Sequence, residues 1–406
     1  MPQPATSSSG QRPAPIIRII TRLNIGGPSI QAAALTDRLW SHGFETLLLH
    51  GRLGPGEGDM RYLLPAGARV QYLPHLRRSV APLSDLMALW KIFRIVCAVR
   101  PVLVHTHMAK AGTLGRLATI LYNRTRGWRA PAQIVHTYHG HIFEGYFGSR
   151  SAAAFLLTER ILARFTDTLI AVSPQIRRDL VERHRIGRNA QYAVIPLGFD
   201  LAPFAAVTAE TRRNARRALD LPFGAPVITT VGRLTAIKHH RLFLQMAILV
   251  ASRYPAATFL IAGDGELRSE LEHQARVAGI ADRVRFLGWR RDLPVLYAAT
   301  DVFVLTSRNE GTPVALIESM AAAVPGVATN VGGVSDVIAD PGLGVLVPFG
   351  DGPALADAVT GLLENPQARC EMGQRARDFV LARYTVDRLV ANIVALYRSR
   401  RSDQSC

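Results

Sequence analysis

From Ile16 onward, short apolar runs alternate with amphipathic segments, the signature of strand–helix repeats built around a mostly parallel sheet. Strands are predicted at 16–21, 45–50, 69–72, 103–105, 133–137, 168–172 and 192–195. A charged stretch without strand character, 208–221, separates these from a second series at 227–231, 258–262, 284–287, 302–305, 326–329 and 345–347. The restart predicts two Rossmann-like α/β domains, 16–203 and 204–383, joined near Pro203. Residues 384–406 are expected to form a C-terminal helix that packs back on the first domain, followed by a tail. The Ser/Pro-rich start, 1–15, lacks the basic-then-apolar order of a signal peptide and is expected to be a disordered leader.

A length of 406 residues suits two domains, and 48% hydrophobic with 19% charged residues excludes wholesale disorder and collagen-like chains. Cys97, Cys370 and Cys406 are far apart and odd in number, which argues against a disulfide framework or zinc ribbon and for a reducing compartment. The longest apolar stretches, 83–99 and 315–328, are interrupted by Lys91 and Arg94 or by Glu318 and Pro325, so no transmembrane helix is expected.

The formal charge of +17 is unevenly distributed: residues 1–200 hold 25 Lys and Arg against 11 Asp and Glu, and the remainder 23 against 20. A basic half attracts polyanions, namely nucleic acid, anionic lipid headgroups or phosphorylated substrates. Only Lys91, Lys110 and Lys238 are lysines, which singles these three out within an arginine-rich composition.

In open α/β sheets, ligands sit beyond the carboxyl ends of the strands, where helix N-termini present unpaired N–H groups. Polar clusters stand at those places: Asn24 to Gly27, His105 to His107, His136 to His141, Gly232-Arg233, Gly263-Asp264-Gly265 and Ser307 to Gly311. Arg233 and Lys238, where a loop enters a helix, combine a planar fork with a mobile point charge and suit a diphosphate; the alternative is a solvated surface pair. Glu310 and Glu318 are separated by seven residues, about two helical turns, and can accept hydrogen bonds from sugar hydroxyls. Glu310 has a bland explanation in the helix dipole, whereas Glu318 inside an apolar helix needs a partner. Strand alternation puts His105 and His107 on one face, and with His136, His139 and His141 they could be imagined as a metal cluster, although no cysteine or H-E-x-x-H helix accompanies them. Lys110 is a candidate anion ligand or a solvated lysine, and Trp289 reads as core.

These motifs, in order and spacing, resemble the retaining GT-B glycosyltransferases of family four: GRL with a nearby lysine, GDGEL, VRFLGW and RNEGTPVALIESM in the second half, and LNIGG, VHTHMAKAG, VHTYHGH, AVSPQ and VIPLGFD in the first. The resemblance spans about residues 16–395 and implies two Rossmann-like domains facing across a cleft. It further implies that Arg233 and Lys238 hold the donor diphosphate, Glu318 the ribose, and Glu310 the transferred sugar. Gly26 and Gly27 would admit the phosphates, Gly263, Asp264 and Gly311 would line the donor side, and His139 would face the sugar. His107 and Lys110 are candidates for the acceptor. One departure is Ala323, where the family usually has glycine, followed by Gly326 where it has valine.

The resemblance implies transfer of a hexosyl unit, with retention, from a nucleotide diphosphate sugar, by family precedent a UDP-sugar, and the basic first half adds the expectation of a lipid-linked or cell-envelope polysaccharide acceptor. No D-x-D motif occurs, so no essential metal and no cofactor are expected. The basic first half then implies an anionic membrane surface rather than nucleic acid as partner, and a cytoplasmic protein peripheral to the inner face of the membrane. A GT-B epimerase, or a polyanion-binding protein whose sugar site has decayed, are the alternatives.

Overall fold

The computed structural model describes residues 13–54, 57–126, 128–140, 149–222 and 224–402. It divides into two compact units, Met1–Phe199 with Val386–Cys406, and Asp200–Thr385. The expected leader lies outside the described residues as far as position 12, while Ala14 and Pro15 already belong to the first strand.

In the first unit, seven strands are β1 (Ala14–Ile20), β2 (Phe44–His50), β3 (Val70–Tyr72), β4 (Leu103–His107), β5 (Gln133–Tyr138), β6 (Thr168–Ala171) and β7 (Tyr192–Val194). They form one parallel sheet in the order β3-β2-β1-β4-β5-β6-β7. In the second unit, β8 (Val227–Val231), β9 (Thr258–Ala262), β10 (Val284–Gly288), β11 (Val302–Leu305), β12 (Gly326–Thr329) and β13 (Gly344–Val347) are ordered β10-β9-β8-β11-β12-β13, again parallel. Sequences such as VITTV, TFLIA and VFVL are buried on both faces, which is why they read as continuous apolar runs. The expected strands are all present.

Each sheet reverses its strand order once, between β1 and β4 and between β8 and β11. A crevice opens at such a switch point beyond the carboxyl ends of the strands. The loop after β1 carries Gly26, Gly27 opens the helix that follows, and β4 ends at His107; the loop after β8 carries Arg233, and that after β11 carries Glu310. Topology alone therefore gathers most of the chemistry at two places.

The helix Val386–Ser402 supplies Val386, Leu389, Val390, Ile393, Val394 and Tyr397 to the first unit's core, against Ile16, Leu35, Phe44, Leu103 and Ile170. The charged stretch without strands forms the helix Ala209–Ala218, capped by Thr208, whose hydroxyl accepts from the Thr211 N–H.

Candidate active site

In the second unit, Lys238 Nζ donates to Glu310 Oε1 at 2.5 Å, and Ser307 Oγ donates to the same oxygen at 2.6 Å. Two backbone-anchored links hold the loops that carry these groups: the Arg308 N–H donates to Ile237 O at 2.8 Å, and Thr306 Oγ1 to Lys238 O at 3.1 Å. Arg233 is half-buried and forms no ion pair among the described residues. The result is one cation matched by a carboxylate and one cation left for an incoming anion.

The GDG segment has a structural reason of its own. A Cβ at Gly263 would come within 1.9 Å of Gly232 O, and one at Gly265 within 2.6 Å of Leu234 O, with both glycines at positive φ. The close approach lets Leu234 N–H donate to Asp264 O at 3.0 Å, so GDG braces the loop that carries Arg233. Asp264 itself is engaged by the Gly265 N–H at 2.8 Å and by Arg268 at 3.1 Å, so its carboxylate serves its own turn instead of projecting to a donor. Behind Gly311, the Gly333 N–H donates to Glu310 O at 2.9 Å, and a Cβ at Gly333 would lie 2.0 Å from Gly311 O. The loop bearing Glu310 is thus held from both sides.

Glu318 lies in the helix Val314–Ala321, and the partner its burial demands is the Tyr297 hydroxyl, which donates to Oε2 at 3.3 Å. Burial raises its carboxyl to about 7, against the opposing pull of that hydroxyl. At the end of this helix Ala323 adopts φ +56°, the left-handed conformation that suits the glycine usual in the family and costs another residue ~1 kcal/mol. Trp289 is exposed and not part of the core.

In the first unit, β4 runs two residues further than expected, and His105, Thr106 and His107 lie inside it, fully buried, not in a loop beyond it. The His105 and His107 rings face the same way, 4.2 Å apart. Both nitrogens of His107 are engaged within the protein: Arg18 Nη2 lies 3.0 Å from its Nε2 and His139 Nε2 lies 3.0 Å from its Nδ1. Lys110 is half-buried and pairs with Asp85 at 2.5 Å, so it is not a freely solvated lysine. His139, directly after β5, is half-buried, and burial followed by the Arg18 charge holds it down at about 3. His141 lies outside the described residues. Among the described residues, no three His, Cys, Asp or Glu side chains are grouped to hold a metal.

The end of β5 is anchored by a buried triad. Arg116 Nη2 reaches both Glu159 oxygens at 2.6 and 2.7 Å, and the Tyr138 hydroxyl donates to Oε2 at 2.6 Å, with Arg116 and Glu159 wholly excluded from solvent. Gly26 adopts φ +152°, ψ 165°, a conformation essentially restricted to glycine, at the entry to the helix Gly27–Arg38. Arg18 and Tyr297, which complete these clusters, are not apparent from local motifs.

Residues 211–379 match the family described as glycosyl transferases group 1, and residues 26–198 the glycosyl transferase 4-like domain. The D-inositol 3-phosphate glycosyltransferase of Corynebacterium urealyticum is 32% identical over 306 residues, covering 73% of this chain and 71% of the relative. The UDP-Gal:alpha-D-GlcNAc-diphosphoundecaprenol alpha-1,3-galactosyltransferase of Escherichia coli is 27% identical over 343 residues, covering 84% and 86%. Anabaena Alr3699/HepE, solved in complex with UDP, superposes with a TM-score of 0.78 at 22% identity, covering 95% of this chain and 99% of that structure. With both halves matched and a relative this similar over most of its length, the chain belongs to the GT-B glycosyltransferases of group 1.

Proposed function

We propose that this glycosyltransferase moves a hexosyl unit, with retention of configuration and without an essential metal, from a UDP-sugar to a lipid-linked or cell-envelope polysaccharide acceptor at a membrane surface. The observation that carries the reading is the braced Lys238–Glu310–Ser307 cluster one loop away from the unpaired Arg233. In this scheme Arg233 and Lys238 take the donor diphosphate, so binding frees Glu310 from Lys238 to accept from a hydroxyl of the transferred sugar. As the bond from the anomeric carbon to the phosphate oxygen breaks, the two cations stabilise the charge that develops on the leaving diphosphate. The acceptor oxygen bonds to the same face of that carbon, and its proton passes to the departing phosphate oxygen, so no protein nucleophile is needed. An intact cation–carboxylate cluster disfavours a decayed site.

Nucleoside diphosphate release, measured over a panel of nucleotide sugars with and without EDTA, tests this. One UDP-sugar should dominate and EDTA should leave its rate unchanged, because Arg and Lys here take the part that a divalent ion plays in D-x-D enzymes. An α-linked product from an α-linked donor establishes retention; inversion, or complete loss in EDTA restored by one metal, removes that part of the proposal.

Glu318 makes donor affinity pH-dependent on this reading, because ribose hydroxyls are accepted by the ionised carboxylate. With the free carboxyl at about 7, affinity for a nucleotide sugar should fall by roughly 10-fold from pH 8 to pH 6, with protons released on binding at pH 7. Glu318→Gln should flatten the profile; an equally steep profile in that variant would assign the titration elsewhere. The sign for stability is the reverse. The folded state holds this proton more tightly than the unfolded chain, whose value is 4.5, so stability falls as pH rises from there toward 7.

A lipid acceptor is supported by the E. coli relative's diphosphoundecaprenol substrate and by the surface of the first unit. The helix Pro82–Val99 buries Ala88, Ile92 and Val96 but leaves Leu83, Leu86, Met87 and Trp90 exposed, with the Arg94 guanidinium 4.9 Å from the Trp90 ring centre. Trp128, with Arg129 at 4.8 Å, repeats the pairing. Apolar side chains flanked by cations suit an anionic bilayer surface, and no helix among the described residues is long and apolar enough to cross a membrane. Cosedimentation with anionic vesicles is expected at low salt and is weakened by salt, by Trp90→Ala, or by neutralising Arg77, Arg78, Arg124, Arg126 and Arg129. Equal, negligible sedimentation with anionic and neutral vesicles would leave this surface without a membrane role.

A further inference from the structure

Arg18 is a completely buried guanidinium in the middle of β1, and among the described residues no carboxylate pairs with it. Its Nη1 donates to Ala32 O at 3.0 Å, its Nη2 points at His107 Nε2 at 3.0 Å, and the Tyr397 hydroxyl lies within its electrostatic reach. An unpaired buried cation is costly to a fold, and an apolar residue would fill the same strand position without that cost. That cost points to a task for its hydrogen atoms.

That task follows from donor and acceptor inventory. A guanidinium only donates, so His107 Nε2 must present a lone pair to it. A neutral imidazole with a bare Nε2 carries its hydrogen on Nδ1, and His107 Nδ1 therefore donates to His139 Nε2 across 3.0 Å. His139 must in turn keep Nε2 bare and hold its own hydrogen on Nδ1. This last nitrogen is buried and has no partner among the described residues.

We infer that Arg18 is a positioning residue which, acting through His107, locks His139 in the neutral form with its hydrogen on Nδ1, so that His139 presents a hydrogen-bond donor to an oxygen of the bound ligand. The chain Arg18–His107–His139 leaves no lone pair on His139 Nδ1, which excludes that nitrogen as a general base and fits a reaction in which the departing phosphate takes the acceptor's proton. His105, the other ring beside His107, has its own nitrogens engaged by the Tyr397 hydroxyl at 2.6 Å and by Thr137 Oγ1 at 2.7 Å. Burial, reinforced by the Arg18 charge, also keeps both His107 and His139 neutral through the physiological range. The assignment of ligand contact rests on the reading of His139 given above, whereas the tautomer does not.

Nitrogen-15 NMR of the full chain with ring-labelled histidine tests the two separately, because the ring nitrogen shifts and couplings report which nitrogen carries hydrogen. His139, identified by loss of its signals in His139→Gln, should be in the Nδ1–H form throughout pH 5 to 8. Arg18→Met should convert it to a mixture of tautomers and lower kcat by about 10- to 100-fold, the range found when the group that orients a ligating histidine is removed. Arg18→Lys, which also only donates, should restore both. A wild-type His139 with its hydrogen on Nε2, or an unchanged Nδ1–H spectrum in Arg18→Met, overturns the inference; the wild-type spectrum alone decides if that variant does not fold. The Nδ1–H form in a protein whose His139→Ala variant keeps full activity would uphold the relay and instead refute the ligand contact.

Discussion

Replacing Lys238 by alanine is expected to lower kcat/KM for the donor by roughly 10- to 150-fold, the loss of one charge-assisted hydrogen bond worth about 1.5 to 3 kcal/mol. Two effects combine in the same direction. The diphosphate loses a fixed cation, and Glu310, buried beside Ser307, loses the charge that matches it before the donor arrives. Glu310→Gln separates them, since it removes the carboxylate while leaving Lys238 available: donor affinity should change little, but turnover should fall because the sugar loses its acceptor. Arg233→Ala should resemble Lys238→Ala in direction. The double variant need not show the product of the two losses, because both side chains serve one diphosphate. Calorimetric titration with the nucleoside diphosphate decides the matter. Wild-type affinity in Arg233→Ala/Lys238→Ala would mean that the diphosphate binds elsewhere.

Glu159→Ala should destabilise the first unit by about 3 to 5 kcal/mol, the cost of leaving a buried cation unmatched. Arg116 is enclosed completely, and removal of the carboxylate leaves its Nη2 and the Tyr138 hydroxyl without their shared acceptor. Arg116→Met/Glu159→Leu, which removes both charges and keeps the volume, should recover most of the loss. Because two units need not unfold in one step, amide exchange in β5 and in the helix Ala109–Thr125 is the informative readout. Unchanged protection there in Glu159→Ala would show that the triad contributes little. Reduced protection should also loosen the segment from which His139 emerges, so activity is expected to fall even where the variant remains folded.

The strands were legible because buried parallel strands are apolar on both faces, and the site loops because open sheets put ligands beyond strand ends. Legibility failed where polar residues lie inside a buried strand. Alternation puts His105 and His107 on one face, but the strand reads as ending at 105, since nothing local reveals that Tyr397, Thr137 and Arg18 arrive from distant segments to pair with them. The Lys110–Asp85 pair was not legible, because Asp85, on the preceding helix, is 25 positions away. Arg18 escaped notice altogether, although a signal existed: a cation flanked by Ile16, Ile17, Ile19 and Ile20 cannot alternate onto a solvent face in a two-sided sheet. Asp264 was overread in the opposite sense, as a short polar side chain in a glycine turn often bonds its own backbone.

The return of the chain to its first unit at Val386 gives synthesis an order of its own. Helix Val386–Ser402 covers apolar side chains of β1, β4 and β6, but it is translated only after the whole of Asp200–Thr385. At ribosomal speeds of 5–20 residues per second, those roughly 190 residues take about 10 to 40 s. During that interval the nascent sheet keeps one face unclosed, whereas the second unit is continuous in sequence and can complete its core as soon as it leaves the exit tunnel. The half made first is therefore the last to close.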